Sequence, residues 1–239
     1  MTKPAREGER ASAVVLLSAG LDSTFNLFKA VSCFDVKAAL TFDYGQLAAG
    51  KELERAEALA KFFKVPHQIV WLPWFRRFTQ TALIGGAGVP FGNEIDLDNL
   101  ERSRTTAKAV WVPNRNGIFL NVAAGFAEGL NATFVVPGFN KEEAQTFSDN
   151  SAEFLKVLDA SFALSTATQV KTYCFSTEMT KSEIVAEAKK EARFPFAQLW
   201  PCYRDLDEWC GECESCQRFR RAGSSNGLDF EVLRKGPPP

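Results

Sequence analysis

Residues 13–24 read AVVLLSAGLDST, and the way this stretch folds decides the architecture. AVVLLS is a short apolar run that ends in small polar residues and Gly20, the pattern of a buried parallel strand. A helix is expected to follow. Phe25, Leu27, Phe28 and Val31 give it an apolar face, and Asp22 and Ser23 are expected to cap it. SAGLDST (18–24) therefore sits at a strand-to-helix junction. Small residues there let backbone approach a ligand closely, and free N–H groups at a helix start attract an anion. Ser18, Ser23 and Thr24 add hydroxyls. No G-K-[ST] follows, so this is not a Walker A loop, and the three-glycine spacing of a dinucleotide fingerprint is missing. Taken alone, a tight turn with a capping aspartate accounts for the segment equally well.

Outward from this junction the chain alternates strand and helix. VKAALTFDYG (36–45) has the character of a second strand. GKELERAEALAKFF (50–63) is rich in helix formers, with Leu53, Ala56, Leu59, Ala60 and Phe63 on one side. HQIVWLP (67–73) is a third strand. The segment 74–108 has no clear period and carries GGAG, so an insertion or loop of the kind that covers active sites is expected. NGIFLNVAAGFAEGL (116–130) is helical, ATFVVPGF (132–139) a strand, SAEFLKVLDASFALS (151–165) helical and VKTYCF (170–175) a strand. TKSEIVAEAKKEA (180–192) is a helix, capped by Thr180 with Glu183 completing a capping box. Five strands alternating with helices predict an α/β fold, a doubly wound parallel five-stranded sheet with ligands beyond the strands' carboxyl ends. The expected divisions are an N-terminal extension (1–12), the α/β domain (13–200), a cysteine segment (201–222) and a loosely ordered or peripheral tail (223–239).

Composition narrows the function classes. A chain of 239 residues with 46% hydrophobic and 24% charged residues can bury a substantial core. Its net charge of -1 disfavours a protein that holds nucleic acid through phosphates, which should be basic. MTKPAREGER at the N-terminus lacks the apolar core of a secretory signal, and the apolar runs fall far short of the ~20 residues of a membrane span. A soluble, cytoplasmic protein without a membrane partner is the expectation. In that compartment clustered thiols mean metal or redox chemistry more often than disulfides. Four of the six cysteines crowd into CYRDLDEWCGECESC (202–216), as Cys210-x2-Cys213-x2-Cys216 with Cys202 upstream and seven residues between it and Cys210. A metal site, a redox pair and an iron–sulfur cluster compete for this pattern. Cys33 and Cys174 are expected to be buried structural thiols. His67, the only histidine, stands at a strand start and is assigned a structural role, which makes a Ser-His-Asp hydrolase a poor fit.

Combined, the motifs become specific. SAGLDS resembles the SGGxDS pyrophosphate loop of the N-type ATP pyrophosphatases, the PP-loop superfamily with the adenine nucleotide alpha hydrolase-like fold. FDYGQ (42–46), VPNRNGIFLNVAAGFAE (112–128), TKSEIV (180–185) and the CYR…CGECESC cluster resemble one family in that group, the 7-cyano-7-deazaguanine synthases of queuosine biosynthesis. The match runs in order from about Val14 to Arg221.

The resemblance implies ATP and Mg²⁺ at the loop and a structural Zn²⁺ on Cys202, Cys210, Cys213 and Cys216, with Gly211 permitting the turn between ligands. It assigns the nucleotide to Leu17, Ser18, Ala19, Gly20, Leu21, Asp22, Ser23, Thr24, Phe25, Asn26 and Leu27. Asp43 and Tyr44 stand at the pocket edge, and Arg115 and Asn116 match the family's VPGRN segment. Asp22, Ser23, Arg115 and Lys181 are the catalytic candidates. Lys181 opens a helix, where the macrodipole disfavours a cation unless a phosphate lies nearby. Phe139, Asn140 and Asp149 are the candidates for the deazapurine, although Asp149 could equally cap the helix that starts close by.

Several positions depart from the family pattern. Ala19 replaces the loop's second glycine and requires a negative φ. Asn114 replaces the glycine before Arg115, and Asn150 and Ser151 replace the Cys-Arg of the family's YPDCR segment.

The reaction implied is conversion of 7-carboxy-7-deazaguanine and ammonia to 7-cyano-7-deazaguanine through an adenylate and an amide. The partners are small molecules, without nucleic acid, in a chain compatible with a homodimer. Two other readings stay open: a divergent PP-loop ligase with another acceptor, and a non-enzymatic zinc module that binds nucleic acid, with RFRRA following the cysteines.

Overall fold

The computed structural model describes residues 10–85 and 88–236. The expected extension, 1–12, lies outside this range up to residue 9. Five strands, β1 (Ser12–Leu16), β2 (Asp35–Asp43), β3 (His67–Trp71), β4 (Phe134–Val136) and β5 (Lys171–Thr172), form one sheet in the order β3-β2-β1-β4-β5. Every pairing is parallel. The chain steps from β1 through β2 to β3 in one direction, then returns to place β4 and β5 on the other side of β1. The order thus reverses between β1 and β4, where a crevice opens beyond the carboxyl ends. Parallel strands need crossover helices, and both faces become buried. This explains the unbroken apolar run at Ala13, Val14 and Val15, all without exposed surface.

The crossovers include α1 (Leu21–Cys33), α2 (Ala49–Phe63), α4 (Arg115–Gly129) and α6 (Ala152–Ser165), and α7 (Lys181–Lys189) follows the last strand. Leu27, Leu40, Leu59, Leu120 and Ile184 are fully buried, each worth roughly 1.5–3 kcal/mol. Phe42 of β2 and Phe119 of α4 lie parallel with ring centroids 4.2 Å apart, which fixes α4 beneath the sheet.

Several expectations change. The segment 74–108 is not a structureless insertion: it holds three short 3₁₀ turns and the greater part of α3 (Leu100–Val110), started by Asn99, whose side chain accepts from Glu101 and Arg102 N–H. Its polar sequence hides the periodicity. The segment also bonds to the cysteine region, Gly92 N–H donating to Glu212 O (3.1 Å) and Gln217 Nε2 to Gly92 O (3.2 Å). The described part of the tail, to residue 236, is packed as well. A four-residue helix α5 (Lys141–Ala144) precedes it in the chain, α8 (Glu214–Ser224) runs into it, and α9 (Phe230–Leu233) lies within it. Phe230 is buried against Trp209 and Phe219. Cys33 is exposed at the end of α1 rather than buried, and Cys174 is half-buried. His67 Nε2 bonds Thr41 Oγ1 at 2.8 Å between β3 and β2. Among the described residues no helix is long and apolar enough to cross a membrane.

Candidate functional site

The loop between β1 and α1 is built by two serines and one strained residue. Ser23 Oγ accepts from Ser18 N–H (3.2 Å) and donates to Gly20 O (3.1 Å), which closes the turn. Gly20 is the N-cap, with φ −68° and no side-chain cap. Asp22 and Ser23 therefore lie inside the first helical turn and do not cap it. The open N-terminus of this thirteen-residue helix faces the crevice with its first N–H groups free of helical partners. Ala19 contradicts the requirement of a negative φ: it sits at +61°. Left-handed backbone costs a non-glycine residue roughly 1–2 kcal/mol. Trp200 N–H holds it there by donating to Ala19 O at 2.8 Å. Asn114, the other replacement for a family glycine, is also left-handed (φ 52°), a conformation asparagine tolerates.

Twelve of the expected site residues line one cavity: Leu17, Ser18, Gly20, Leu21, Asp22, Ser23, Tyr44, Arg115, Asn116, Phe139, Asp149 and Lys181. The others stand behind its wall. Phe25 and Leu27 point into the core, and Thr24 is fully buried. Asn26 is a brace: its amide donates to Asp22 O (2.8 Å) and Ser176 Oγ (2.6 Å), while its oxygen accepts from Phe175 N–H (2.8 Å). Ser176 Oγ donates in turn to Phe139 O (2.6 Å), so Asn26 ties the loop's helix to the ends of β4 and β5. Asp43 turns away from the cavity to accept from Gly45 N–H (2.9 Å). Asn140 caps α5 by accepting from Glu143 N–H (2.9 Å).

Charge concentrates at the loop. Lys181 Nζ contacts Asp22 Oδ2 and lies 2.8 Å from Glu143 Oε1. Burial alone would pull the Lys181 pKa down, but Asp22 and Glu143 reverse this and hold it above the usual lysine range. Glu143, raised by burial but dominated by Lys181 and Arg218, is held down to about 2. Asp22 is pushed up by burial, with Lys181 opposing. Its Oδ1 is buried without a partner.

Farther along the cavity Arg115 stands beside the Tyr44 hydroxyl and near Asp149. Its Nε donates to Asn116 Oδ1 at 3.2 Å. Burial raises the Asp149 carboxyl, opposed by Arg115, and its Oδ1 is buried without a partner. Asp149 is not the helix cap: Ser151 caps α6, accepting from Phe154 N–H at 3.1 Å. Trp111 and Phe147, nearly parallel (5°) with centroids 6.0 Å apart, form an aromatic wall of the same cavity.

Glu52, Glu143, Trp111, Phe147 and Tyr203 line the cavity unforeseen. Glu52 lay in a helix read only for its apolar face. It accepts from Gln46 Nε2 at 2.7 Å, and burial raises it to about 7. The Asn-x-x-Glu start at 140–143 suggests a Glu143 side chain turned back towards its cap, but its carboxylate meets Lys181 instead.

Cys202, Cys210, Cys213 and Cys216 converge, all four sulfurs within 4.8 Å of one another. Thiolates around Zn²⁺ at about 2.3 Å form such a tetrahedron, so the donor set fits the ion. Backbone N–H groups aim at sulfur, Cys210 N to Cys202 Sγ (3.4 Å) and Cys213 N to Cys210 Sγ (3.3 Å), as expected for thiolate charge. Gly211 makes the turn between ligands with φ +77°. Tyr203, Ser215 and Phe219 from this segment line the cavity, so the cysteine region is part of its wall.

The profile of the family described as queuosine biosynthesis protein QueC matches residues 12–227. A 7-cyano-7-deazaguanine synthase of Bdellovibrio bacteriovorus is 48% identical over 224 residues, covering 93% of this chain and 96% of the relative. Proteins of the same name from Desulforudis audaxviator and Methanosarcina barkeri are 46% and 41% identical, covering 90% and 93% of this chain and 97% and 98% of theirs.

Proposed function

Because the chain belongs to the queuosine biosynthesis protein QueC family and has its activity, ATP-dependent 7-cyano-7-deazaguanine synthesis, we propose how its residues carry that reaction. The observation that carries the proposal is the contact of Lys181 with Asp22 at the open N-terminus of α1. Relatives that bear the synthase name along nearly the whole chain leave no support for a non-enzymatic zinc module.

ATP lays its phosphates on the loop 18–24, against the N–H groups of α1, Ser18 and Ser23. The cation of Lys181 stands beside them, which resolves its position at a helix start. Asp22, whose Oδ1 has no partner, is the residue that would help to hold Mg²⁺ brought in with ATP, and the ion would offset phosphate charge there. The deazapurine lies along Trp111 and Phe147. Asp149 accepts from the N–H groups of its guanine-like edge, and Arg115 faces the charge that moves between the two substrates.

A carboxylate is a poor electrophile, and transfer of AMP onto its oxygen releases pyrophosphate and creates a good leaving group. Ammonia then displaces AMP to give the amide, losing one proton. A second adenylation, on the amide oxygen, allows loss of AMP and the remaining two N–H protons to leave the nitrile. The protein's part is positioning and charge stabilisation, with no covalent intermediate on a side chain. Cys202, Cys210, Cys213 and Cys216 would hold Zn²⁺ with four thiolates, and a metal so held would supply structure rather than activate water.

The test is a mass-spectrometric incubation of the chain with ATP, Mg²⁺, ammonia and 7-carboxy-7-deazaguanine, together with zinc analysis of the same preparation. The nitrile, two pyrophosphates per nitrile and one zinc per chain are expected. A different product, or iron in place of zinc, contradicts the proposal.

A further inference from the structure

We propose that the cysteine segment acts on the reaction through Arg218, a positioning residue that sets Lys181 by way of Glu142 and Glu143. The proposal rests on the phosphate role given to Lys181 above. Two of the four thiols frame the start of α8: Cys213 is its N-cap and Cys216 lies in its first turn. A metal on these sulfurs fixes where the helix begins and how it is rotated. Arg218 projects from the next turn and is 8% exposed. Its Nε and Nη2 both bond Glu214 Oε1, at 2.9 and 2.6 Å, so its fork is held rigid within the helix. The remaining nitrogen, Nη1, reaches Glu142 Oε2 at 3.9 Å, and the guanidinium lowers the neighbouring Glu143.

These two glutamates grip Lys181 at both ends. Glu142 Oε1 accepts from the Lys181 backbone N–H at 3.0 Å, and Glu143 Oε1 meets its ammonium at 2.8 Å. They sit on α5, a helix of only four residues anchored at its start by Asn140 and by Lys141 N–H donating to Met179 O (2.9 Å), so the placing of the two carboxylates beyond that anchor falls to their ion pairs. An outside cation aimed at them therefore decides where their carboxylates stand. A second tie runs alongside: Asn226 Nδ2 donates to Ser182 O (3.0 Å), next to Lys181 in sequence. The metal centre thus reaches the loop through α8, Arg218, Glu142–Glu143 and Lys181, without any thiol touching a substrate.

Removing Arg218 alone would leave Glu214 buried and unpaired, which can unfold a protein for unrelated reasons. The test therefore uses the double variant Arg218→Met/Glu214→Gln and, separately, Glu142→Gln. Zinc content, melting temperature, kcat, KM for ATP and the ¹⁵N–ammonium resonance of Lys181 in the substrate-free protein are measured. That resonance is visible only while the ammonium is tightly held. The expected result for the double variant is one zinc per chain, a kcat lower by roughly tenfold to a hundredfold, KM for ATP within about threefold, and loss or displacement of the resonance. Glu142→Gln should move kcat and the resonance in the same direction by a smaller factor. A zinc-loaded double variant with kcat within about twofold of wild type and an unchanged resonance overturns the proposal. So does a double variant that fails to fold while Glu142→Gln keeps both readouts at wild type. Lys181→Met separates the two readings. If it is inactive while the Arg218 variants are normal, only this inference fails; if it too is fully active, the role of Lys181 itself fails.

Discussion

Gly138 at the end of β4 packs directly on Ser23 in the first turn of α1: a Cβ at position 138 would lie 2.5 Å from the Ser23 nitrogen and 2.6 Å from its Cα. Those atoms are backbone and cannot swing aside. The crevice between β1 and β4 is therefore closed at its floor by the absence of one side chain. Gly138→Ala should push the loop from its place, at an overpacking cost of about 1–3 kcal/mol. We expect ATP affinity to fall at least tenfold, measured by calorimetry, in a protein that still binds zinc. Wild-type ATP affinity in this variant would show that the loop does not depend on the contact.

Ala19 gives a second prediction, in the opposite direction. Glycine adopts a φ of +61° without the methyl's steric cost of roughly 1–2 kcal/mol, but gives back about 0.4–1 kcal/mol through a looser unfolded chain. Ala19→Gly should thus match or slightly exceed the wild-type melting temperature and keep ATP affinity. Ala19→Val, β-branched in the left-handed region, should melt several degrees lower. A valine variant as stable as wild type would contradict the conformation assigned to this residue.

Glu52 and Glu143 have opposite effects on stability as pH changes. Burial holds Glu52 up to about 7 in the fold against an ordinary value of 4.5. Its proton is then released earlier by the unfolded chain, so stability is full below about pH 4.5 and is lost as pH rises through about 7. Glu143 is held down to about 2, so its contribution is present above 4.5 and is lost as pH falls towards 2. Glu52→Gln should therefore gain on wild type between about pH 4.5 and 7 in thermal melts and hold a constant advantage above that. Parallel curves across that interval would remove Glu52 from the account.

Asp149 is free of the capping role that competed for it, since Ser151 holds the start of α6. Asp149→Asn should leave the melting temperature nearly unchanged. The amide presents an NH₂ towards a substrate donor, and an unmatched donor in a dry site costs roughly 1–3 kcal/mol. Affinity for 7-carboxy-7-deazaguanine should fall by about five- to 150-fold, with ATP binding unaltered. An early melt with normal deazapurine binding would return Asp149 to a structural role.

What the sequence made legible depended on whether local pattern or tertiary approach did the work. The succession of strand, loop and helix at 13–33, the capping box at Thr180 and Glu183 and the convergence of the four thiols are written locally and appear as expected, whereas the cap of α1 is Gly20 and not Asp22 or Ser23. Glu143 meeting Lys181 and Trp111 lying parallel to Phe147 are meetings of distant segments, for which the chain carries no period. Ala19 failed for a related reason. Its backbone angle is imposed by Trp200, 181 positions away, and local propensity argued the other way. The helix at 100–110 was hidden because its polar residues show no apolar period.

In the proposed mechanism Lys181, held beside Asp22 at the open end of α1, serves the phosphates in adenylation. The most direct measurement is pyrophosphate release by folded, zinc-loaded Lys181→Met given ATP and 7-carboxy-7-deazaguanine without ammonia, so that only the first adenylation runs. The expected rate is lower than wild type by about 10²–10³, the usual loss when one oriented charge-stabilising group is removed. Release at the wild-type rate would contradict it.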